Sequence, residues 1–183
     1  LIYDRKLEKG FSDPLAKIID FITWNISFRS ITKKLGLSKV DASGSGAAPI
    51  APEVLKFFMA IGIPIFEAYG MTENCGYATG NDYDNISLGT VGVPNKNCEL
   101  KLADDGEILI RHGGVFKGYF KNEEATKETI DKDGWLYTGD VGEMQGKFIK
   151  IVDRKKDIII TAGGKNISPS EIENTLKVSP FVK

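Results

Sequence analysis

Cysteine and histidine are scarce in this chain. Among 183 residues only Cys75 and Cys98 are cysteines, and His112 is the single histidine. The two thiols have neither CxxC nor metal-ligand spacing, which excludes a thiolate metal centre and a disulfide scaffold. Two reduced cysteines of a cytoplasmic protein are expected instead. Any Cys–His or Ser–His pair would have to use His112, which reads as a surface residue at a strand end. Cys75 lies beside Glu73 and has no basic neighbour in sequence to lower its pKa. Excess charge is lacking too: the formal net charge is −1. Lys155-Lys156 is too short a basic run to give a nucleic acid an electrostatic footprint. No apolar run approaches the roughly 20 residues of a transmembrane helix. No secretory leader is visible. The chain opens on Leu1 rather than Met, as an excerpt of a longer protein would. What remains is the balance of an ordinary soluble fold, 42% hydrophobic and 27% charged, in a length that suits one domain or one and a fraction.

The stretch that organises the chain is Tyr69-Gly70-Met71-Thr72-Glu73. It follows Ile63-Pro64-Ile65-Phe66, which reads as a short buried strand. A ring for stacking on a purine, a glycine for close backbone approach, a hydroxyl and a carboxylate come together within five residues. A hydroxyl can donate to a phosphate oxygen, and a carboxylate can hold Mg²⁺ beside phosphate. In isolation the same residues also suit a strand-end turn with a packed tyrosine.

Upstream, Ser12-Asp13-Pro14 reads as a helix start. Leu15, Ile18, Ile19, Ile22, Ile26 and Leu35 then recur at roughly helical spacing, over two helices ending at Gly36. Trp24 and Phe28 suit core packing better than an acyl pocket. Lys39 to Ser43 reads as a strand running into the small-residue loop Gly44-Ser45-Gly46-Ala47-Ala48-Pro49. That loop is no P-loop, because no Gly-Lys-Ser/Thr follows it. Pro52 to Ile61 reads as a helix with Val54, Leu55, Phe58 and Ile61 inward and Gly62 beyond its end. Strand, helix and strand at this spacing predict a parallel βαβ unit, whose ligands bind beyond the carboxyl ends of its strands.

From Gly89 the period changes to two. Cys98, Leu100 and Leu102, a turn at Asp104-Asp105-Gly106, then Ile108 and Ile110 predict an antiparallel hairpin. Asn122 is expected to cap a short helix reaching about Thr129. Asp133-Gly134 is expected to turn the chain into Trp135 and the following motif, in which Asp140 reads as an aspartate in a glycine turn. Phe148 to Val152 reads as a strand and Asp153 to Asp157 as a charged break. Ser168-Pro169-Ser170-Glu171 is a capping box whose helix runs from Pro169 to about Lys177.

Three of these segments, taken in order, carry a resemblance. Tyr69-Gly70-Met71-Thr72-Glu73, Leu136-Tyr137-Thr138-Gly139-Asp140 and Asp153-Arg154-Lys155-Lys156-Asp157 resemble the adenylate-forming (AMP-binding) enzymes. These include acyl-CoA synthetases, luciferases and peptide-synthetase adenylation domains. The likeness runs from about Ala42 to the C-terminus, and Gly106 to Arg111 with Gly118-Tyr119 fits it as scaffold. Ser45-Gly46-Ala47-Ala48-Pro49 and Phe57 to Pro64 look most like the long-chain fatty acid–CoA ligases.

The resemblance implies a site. Gly46, Ala47 and Ala48 would border the adenine, and Glu67, Ala68, Gly70 and Met71 would line the nucleotide beside them. Tyr69 would stack on the adenine. Thr72 would hold the α-phosphate and Glu73 the Mg²⁺, making these two the catalytic pair. Asp140 would accept hydrogen bonds from both ribose hydroxyls, and Arg154 would contact ribose and phosphate. Gly163 and Gly164 would lie near the pantetheine arm of CoA.

The fold implied is α/β plus β: a parallel βαβ portion of a large N-terminal domain, an antiparallel β-barrel-like subdomain, and the start of a small α+β C-terminal lid. Residues 1–152 would belong to the first domain, with the hinge at Asp153 and residues 153–183 opening the lid. The implied activity joins a fatty acid, or another carboxylic acid, to CoA through an acyl adenylate made from ATP. No nucleic-acid partner and no transmembrane segment are expected. The expected location is cytoplasmic, with peripheral membrane association of the full-length protein left open. A Thr/Ser/Gly-rich phosphate loop is not found upstream, and the family's catalytic lysine would lie beyond Lys183, so the excerpt by itself is expected to be inactive. Two other readings stand beside this one: an adenylating enzyme for an aryl, medium-chain or amino acid, with either CoA or a carrier protein as acceptor, and a nucleotide-binding homologue without catalysis.

Overall fold

The computed structural model describes residues 14–23, 28–161, 163 and 166–177. The cap expected at Ser12-Asp13, the aromatic Trp24, Ile26 and the glycine Gly164 lie outside the described residues.

Helices α1 (Pro14–Thr23) and α2 (Arg29–Lys34) come first, and Gly36 ends them with φ +74°. The apolar stripe Leu15, Ile18 and Ile22 is exposed among the described residues, and Phe28 is half-buried. Strand β1 (Ser43–Ser45), helix α3 (Pro52–Ala60) and strand β2 (Ile65–Tyr69) form the expected βαβ unit, with β1 parallel to β2 and Ser45 opposite Glu67. Both strands begin later than their apolar runs suggest. The strand placed at Lys39–Ser43 lies at Ser43–Ser45, so Gly44 is inside it. The second reaches Tyr69, so the ring is a strand-end residue and the turn starts at Gly70. On α3, Leu55 and Met59 face inward, and Ile61 is buried just beyond the helix. Val54, expected inward, is exposed. Leu55 and Met59 are four apart and share one face, whereas Val54 points about 100° away from Leu55.

Strands β3 (Thr79–Gly80) and β4 (Val93–Pro94) add antiparallel to β2, closing a four-stranded mixed sheet in the order β1-β2-β3-β4. The second sheet is antiparallel and consecutive: β5 (Glu99–Leu102), β6 (Glu107–Arg111), β7 (Leu136–Gln145) and β8 (Phe148–Arg154). Helix α4 (Glu123–Thr129) sits between β6 and β7, and the Asn122 side chain accepts from the Ala125 N–H at 3.1 Å, the cap expected there.

The two sheets are sewn together. Val91 N–H donates to Ile149 O at 2.8 Å and Ile149 N–H to Gly92 O at 2.9 Å. They also share one core: Ala78, Ile108, Ile110 and Ile149 are buried together, with Tyr69, Val91 and Leu100 packed against them. That shared core brings the end of β2 against the barrel sheet.

Two motifs expected in turns or breaks lie in strands. Leu136–Asp140 opens β7, and Asp153–Arg154 closes β8, which runs two residues past the expected Val152. Ladder pairing overrode local composition here: a Gly-Asp pair fits a strand wherever the strand carries a bulge. Strands β9 (Ile159–Ile160) and β10 (Asn166–Ile167) form a separate antiparallel pair, followed by α5 (Pro169–Lys177), whose span matches the expectation.

Candidate nucleotide site

The bulge in β7 builds the centre of the site. Glu107 pairs with Val141 and Leu109 with Tyr137, so Thr138, Gly139 and Asp140 together face the single residue Ile108. The excess must loop out of the ladder, and Gly139 takes φ +71° to allow it. The freed backbone groups find side-chain partners. Thr138 Oγ1 donates to Ile108 O at 2.8 Å, the Asp140 N–H donates to Thr138 Oγ1 at 3.1 Å, and the Gly139 N–H donates to Glu107 Oε1 at 2.9 Å. Thr138 and Glu107 therefore shape the site, and neither stood out in sequence as a site residue. The available signal was a hydroxyl two residues before Asp140, and a carboxylate directly after the Gly106 turn.

Asp140 is 6% exposed. Its two oxygens meet donors from two directions. Tyr69 Oη donates to Oδ2 at 2.6 Å from the end of β2, and Arg154 Nε lies 3.3 Å from Oδ1, brought there by the cross-strand register Asp140↔Arg154. Burial, then the Asp140 charge and hydrogen bond, push the Tyr69 phenol well above its ordinary range, so it stays a donor. Ring, acid and guanidinium thus share one edge of the molecule, and a cleft there is lined by Gly139, Arg154, Lys155 and Lys156.

The turn after Tyr69 is tight. A Cβ on Gly70 would stand 2.3 Å from the backbone of Gly76, so the chain's own return already requires glycine here. Met71 is extended, and its N–H donates to the Asn74 side chain at 2.9 Å. A 3₁₀ turn, Thr72–Asn74, follows and ends on Cys75 in the left-handed region with φ 61°. Thr72 is exposed. Glu73 is half-buried and accepts from Tyr119 Oη at 2.9 Å, and that bond, more than burial, raises the Tyr119 phenol.

Gly46, Ala47 and Ala48 are exposed directly after β1, and Ala47 takes φ 67°. A Cβ on Gly46 would lie 3.3 Å from Ala68 O, so this loop hugs β2. Glu67 shares the face of β2 with Tyr69, because strand side chains alternate. It is buried, and burial raises its pKa against the pull of the Gly89 and Ile50 N–H groups. Its Oε2 has no hydrogen-bond partner among the described residues.

Farther along, Asp153 ties two elements together. It accepts from Ser168 Oγ at 2.7 Å, from Ser170 N–H at 3.0 Å and from Ser170 Oγ at 2.9 Å, which anchors the start of α5. Burial works to raise its pKa, but these donors and the Arg154 N–H outweigh it and hold the carboxyl below the usual range. Gly163 is an exposed turn residue, and Gly164 is outside the described residues. His112, expected at the surface, is half-buried just past β6. Its Nδ1 accepts from the Gly114 N–H at 3.0 Å, while Nε2 is buried without a partner among the described residues.

No group of three or more His, Cys, Asp or Glu side chains that could hold a metal by themselves occurs among the described residues. Mg²⁺ does not need one, since it binds through one or two carboxylates, waters and substrate phosphates. Glu73 beside the exposed Thr72 fits that requirement. No helix among the described residues is long and apolar enough to cross a membrane.

Comparison with known proteins gives the family and the fold. The chain matches the AMP-binding enzyme family over residues 17–120. It is 47% identical over 147 residues to a putative fatty-acid–CoA ligase, fadD11, of Mycobacterium tuberculosis, covering 80% of this chain and 26% of that protein. It is 44% identical over 172 residues to the peroxisomal long chain acyl-CoA synthetase 7 of Arabidopsis thaliana, covering 85% of this chain and 24% of that one. Its fold superposes on the solved anthranilate CoA ligase AuaEII in complex with anthranoyl-AMP with a TM-score of 0.73 at 28% identity, covering 80% of this chain and 30% of that chain. The chain spans about a quarter of the length of these curated relatives. A family match over more than half of the residues settles the kinship: the chain belongs to the AMP-binding enzymes.

Proposed function

We propose that this chain is the nucleotide-binding and hinge portion of a long-chain fatty acid–CoA ligase. The observation that carries the reading is the convergence of Tyr69 and Asp140, 71 residues apart in sequence, in one hydrogen bond. A purine stacked on that ring places its ribose within reach of the acid.

In the full-length protein, a carboxylate oxygen of the fatty acid attacks the α-phosphorus of ATP, and the bond to pyrophosphate breaks. The CoA thiol then attacks the acyl carbon, AMP leaves, and the thiol proton passes to solvent. Tyr69 stacks on adenine, and the Gly46-Ala47-Ala48 loop, Glu67, Ala68, Gly70 and Met71 frame it. Thr72 donates to the α-phosphate. Asp140 accepts from the ribose diol, and Arg154 places a permanent charge beside ribose and phosphate. Glu73 would hold Mg²⁺, which would supply positive charge to offset that developing on the phosphates. Gly163 and Gly164 border the pantetheine arm of CoA.

The proposed boundary lies between residues 152 and 153. It draws support from Asp153, whose backbone pairs with β7 while its side chain holds α5. One site must serve two transition states, and a lid pivoting there would allow it. The proposed compartment is the cytoplasm, where the free thiols Cys75 and Cys98 stay reduced.

ATP–pyrophosphate exchange by the full-length protein across a panel of acids tests the reading. Exchange with long-chain fatty acids, and background exchange by the 183-residue chain alone, are expected. Strict preference for an aromatic acid, as the likeness to an anthranilate ligase would favour, overturns the chain-length assignment. Exchange with no acid overturns the enzyme reading. Glu73→Ala is expected to slow adenylate formation more than it weakens acyl-adenylate binding, and equal losses would remove Glu73 from the metal.

A further inference from the structure

Stacking on adenine needs only a ring, and phenylalanine would serve. Yet the hydroxyl of Tyr69 makes the shortest hydrogen bond to the Asp140 carboxylate, 2.6 Å to Oδ2, while Arg154 Nε stands at 3.3 Å from Oδ1. Asp140 sits on a three-residue bulge relative to β6, so on that side no ladder pairing holds it, and only its register with Arg154 on β8 remains. The Tyr69 hydrogen bond from β2 and the Arg154 ion pair from β8 set the direction of the carboxylate. Each carboxylate oxygen keeps a further lone pair, so both contacts persist while a vicinal diol approaches.

Building on the nucleotide reading above, we infer that the Tyr69 hydroxyl is a positioning group: it orients Asp140 so that both ribose hydroxyls find an acceptor. The residue then does two separable things, its ring meeting the base and its oxygen acting on the sugar through Asp140. Burial and the Asp140 charge keep that oxygen protonated, as a permanent donor.

Equilibrium binding of ATP and of 2′,3′-dideoxy-ATP, compared between wild type and Tyr69→Phe, tests this. The variant is expected to weaken ATP by about tenfold, the worth of a hydrogen bond to a charged acceptor. It should leave dideoxy-ATP binding unchanged, because the ring remains. In Asp140→Ala, which removes the acceptor, adding Tyr69→Phe should cost ATP nothing further. Equal losses for both nucleotides, or none, overturn the inference while leaving the nucleotide reading intact. Wild type binding neither nucleotide ends that reading, and this inference with it.

Discussion

The barrel sheet and the mixed sheet satisfy their polar groups to different degrees. In the barrel, the bulge at Thr138–Asp140 has its backbone groups answered by Thr138 and Glu107, and Asp153 at the far edge collects four donors. Ile108, Ile110 and Ile149 are fully buried beneath it. In the mixed sheet and the turn that leaves it, Glu67 Oε2 and Asn74 Nδ2 are buried without partners among the described residues, Cys75 sits in the left-handed region, and Phe57 of α3 is exposed. The barrel side has one such atom, His112 Nε2 just past β6. Two of the three unpartnered atoms thus lie beside the edge proposed to meet ligand. Sites commonly depart from ideal local structure in this way.

The contrast can be broken most directly in the core. Ile108→Ala is expected to cost about 3 kcal/mol, from lost burial and the cavity left behind. Phe57→Ala should cost no more than about 0.5 kcal/mol, as for an exposed side chain. Urea unfolding measures both, and equal costs would show that burial does not separate the two regions.

Next is Asp153→Ala, expected to cost about 2 kcal/mol at neutral pH, because the start of α5 and two seryl hydroxyls lose one shared acceptor. Its folded pKa is lowered, so below the ordinary aspartate value of about 3.9 the unfolded chain binds more protons. The wild-type advantage is therefore complete above that value and vanishes as pH falls through the folded pKa. A difference between variant and wild type that persists unchanged into strong acid would contradict this.

The smallest effect is the most telling, because its sign is reversed. Glu67 is raised by burial, so between the ordinary glutamate value of about 4.3 and its folded pKa the native state binds more protons. Wild type loses stability as pH rises through that window. Glu67→Gln should flatten that loss and match or exceed wild type above it, within about 1 kcal/mol. Unfolding midpoints followed against pH supply the check, and a variant less stable than wild type above the window would show that the Glu67 charge is compensated.

Much of the fold was legible residue by residue. The hairpin around Asp104-Asp105-Gly106, the Asn122 cap, the parallel βαβ unit and the Pro169–Lys177 helix all rest on spacings of a few residues. The errors have two causes. Val54 was expected to face inward because it is apolar. Asp140 was expected in a turn, and Arg154 in a charged break, because of their neighbours. For Asp140 and Arg154 a strand partner distant in sequence decided the outcome; for Val54 the helical period did. The site was legible as a set of residues in order, but not as a geometry.

Sequence alone determined the helices, the hairpin turn and the βαβ unit, and which family the motifs belong to, because such choices depend on residues within a turn or two of each other. Tertiary structure alone decided that three residues of β7 face one of β6, and that the Tyr69 hydroxyl reaches Asp140. Those facts depend on strand register and on two sheets sharing one core, which are properties of pairs far apart in the chain.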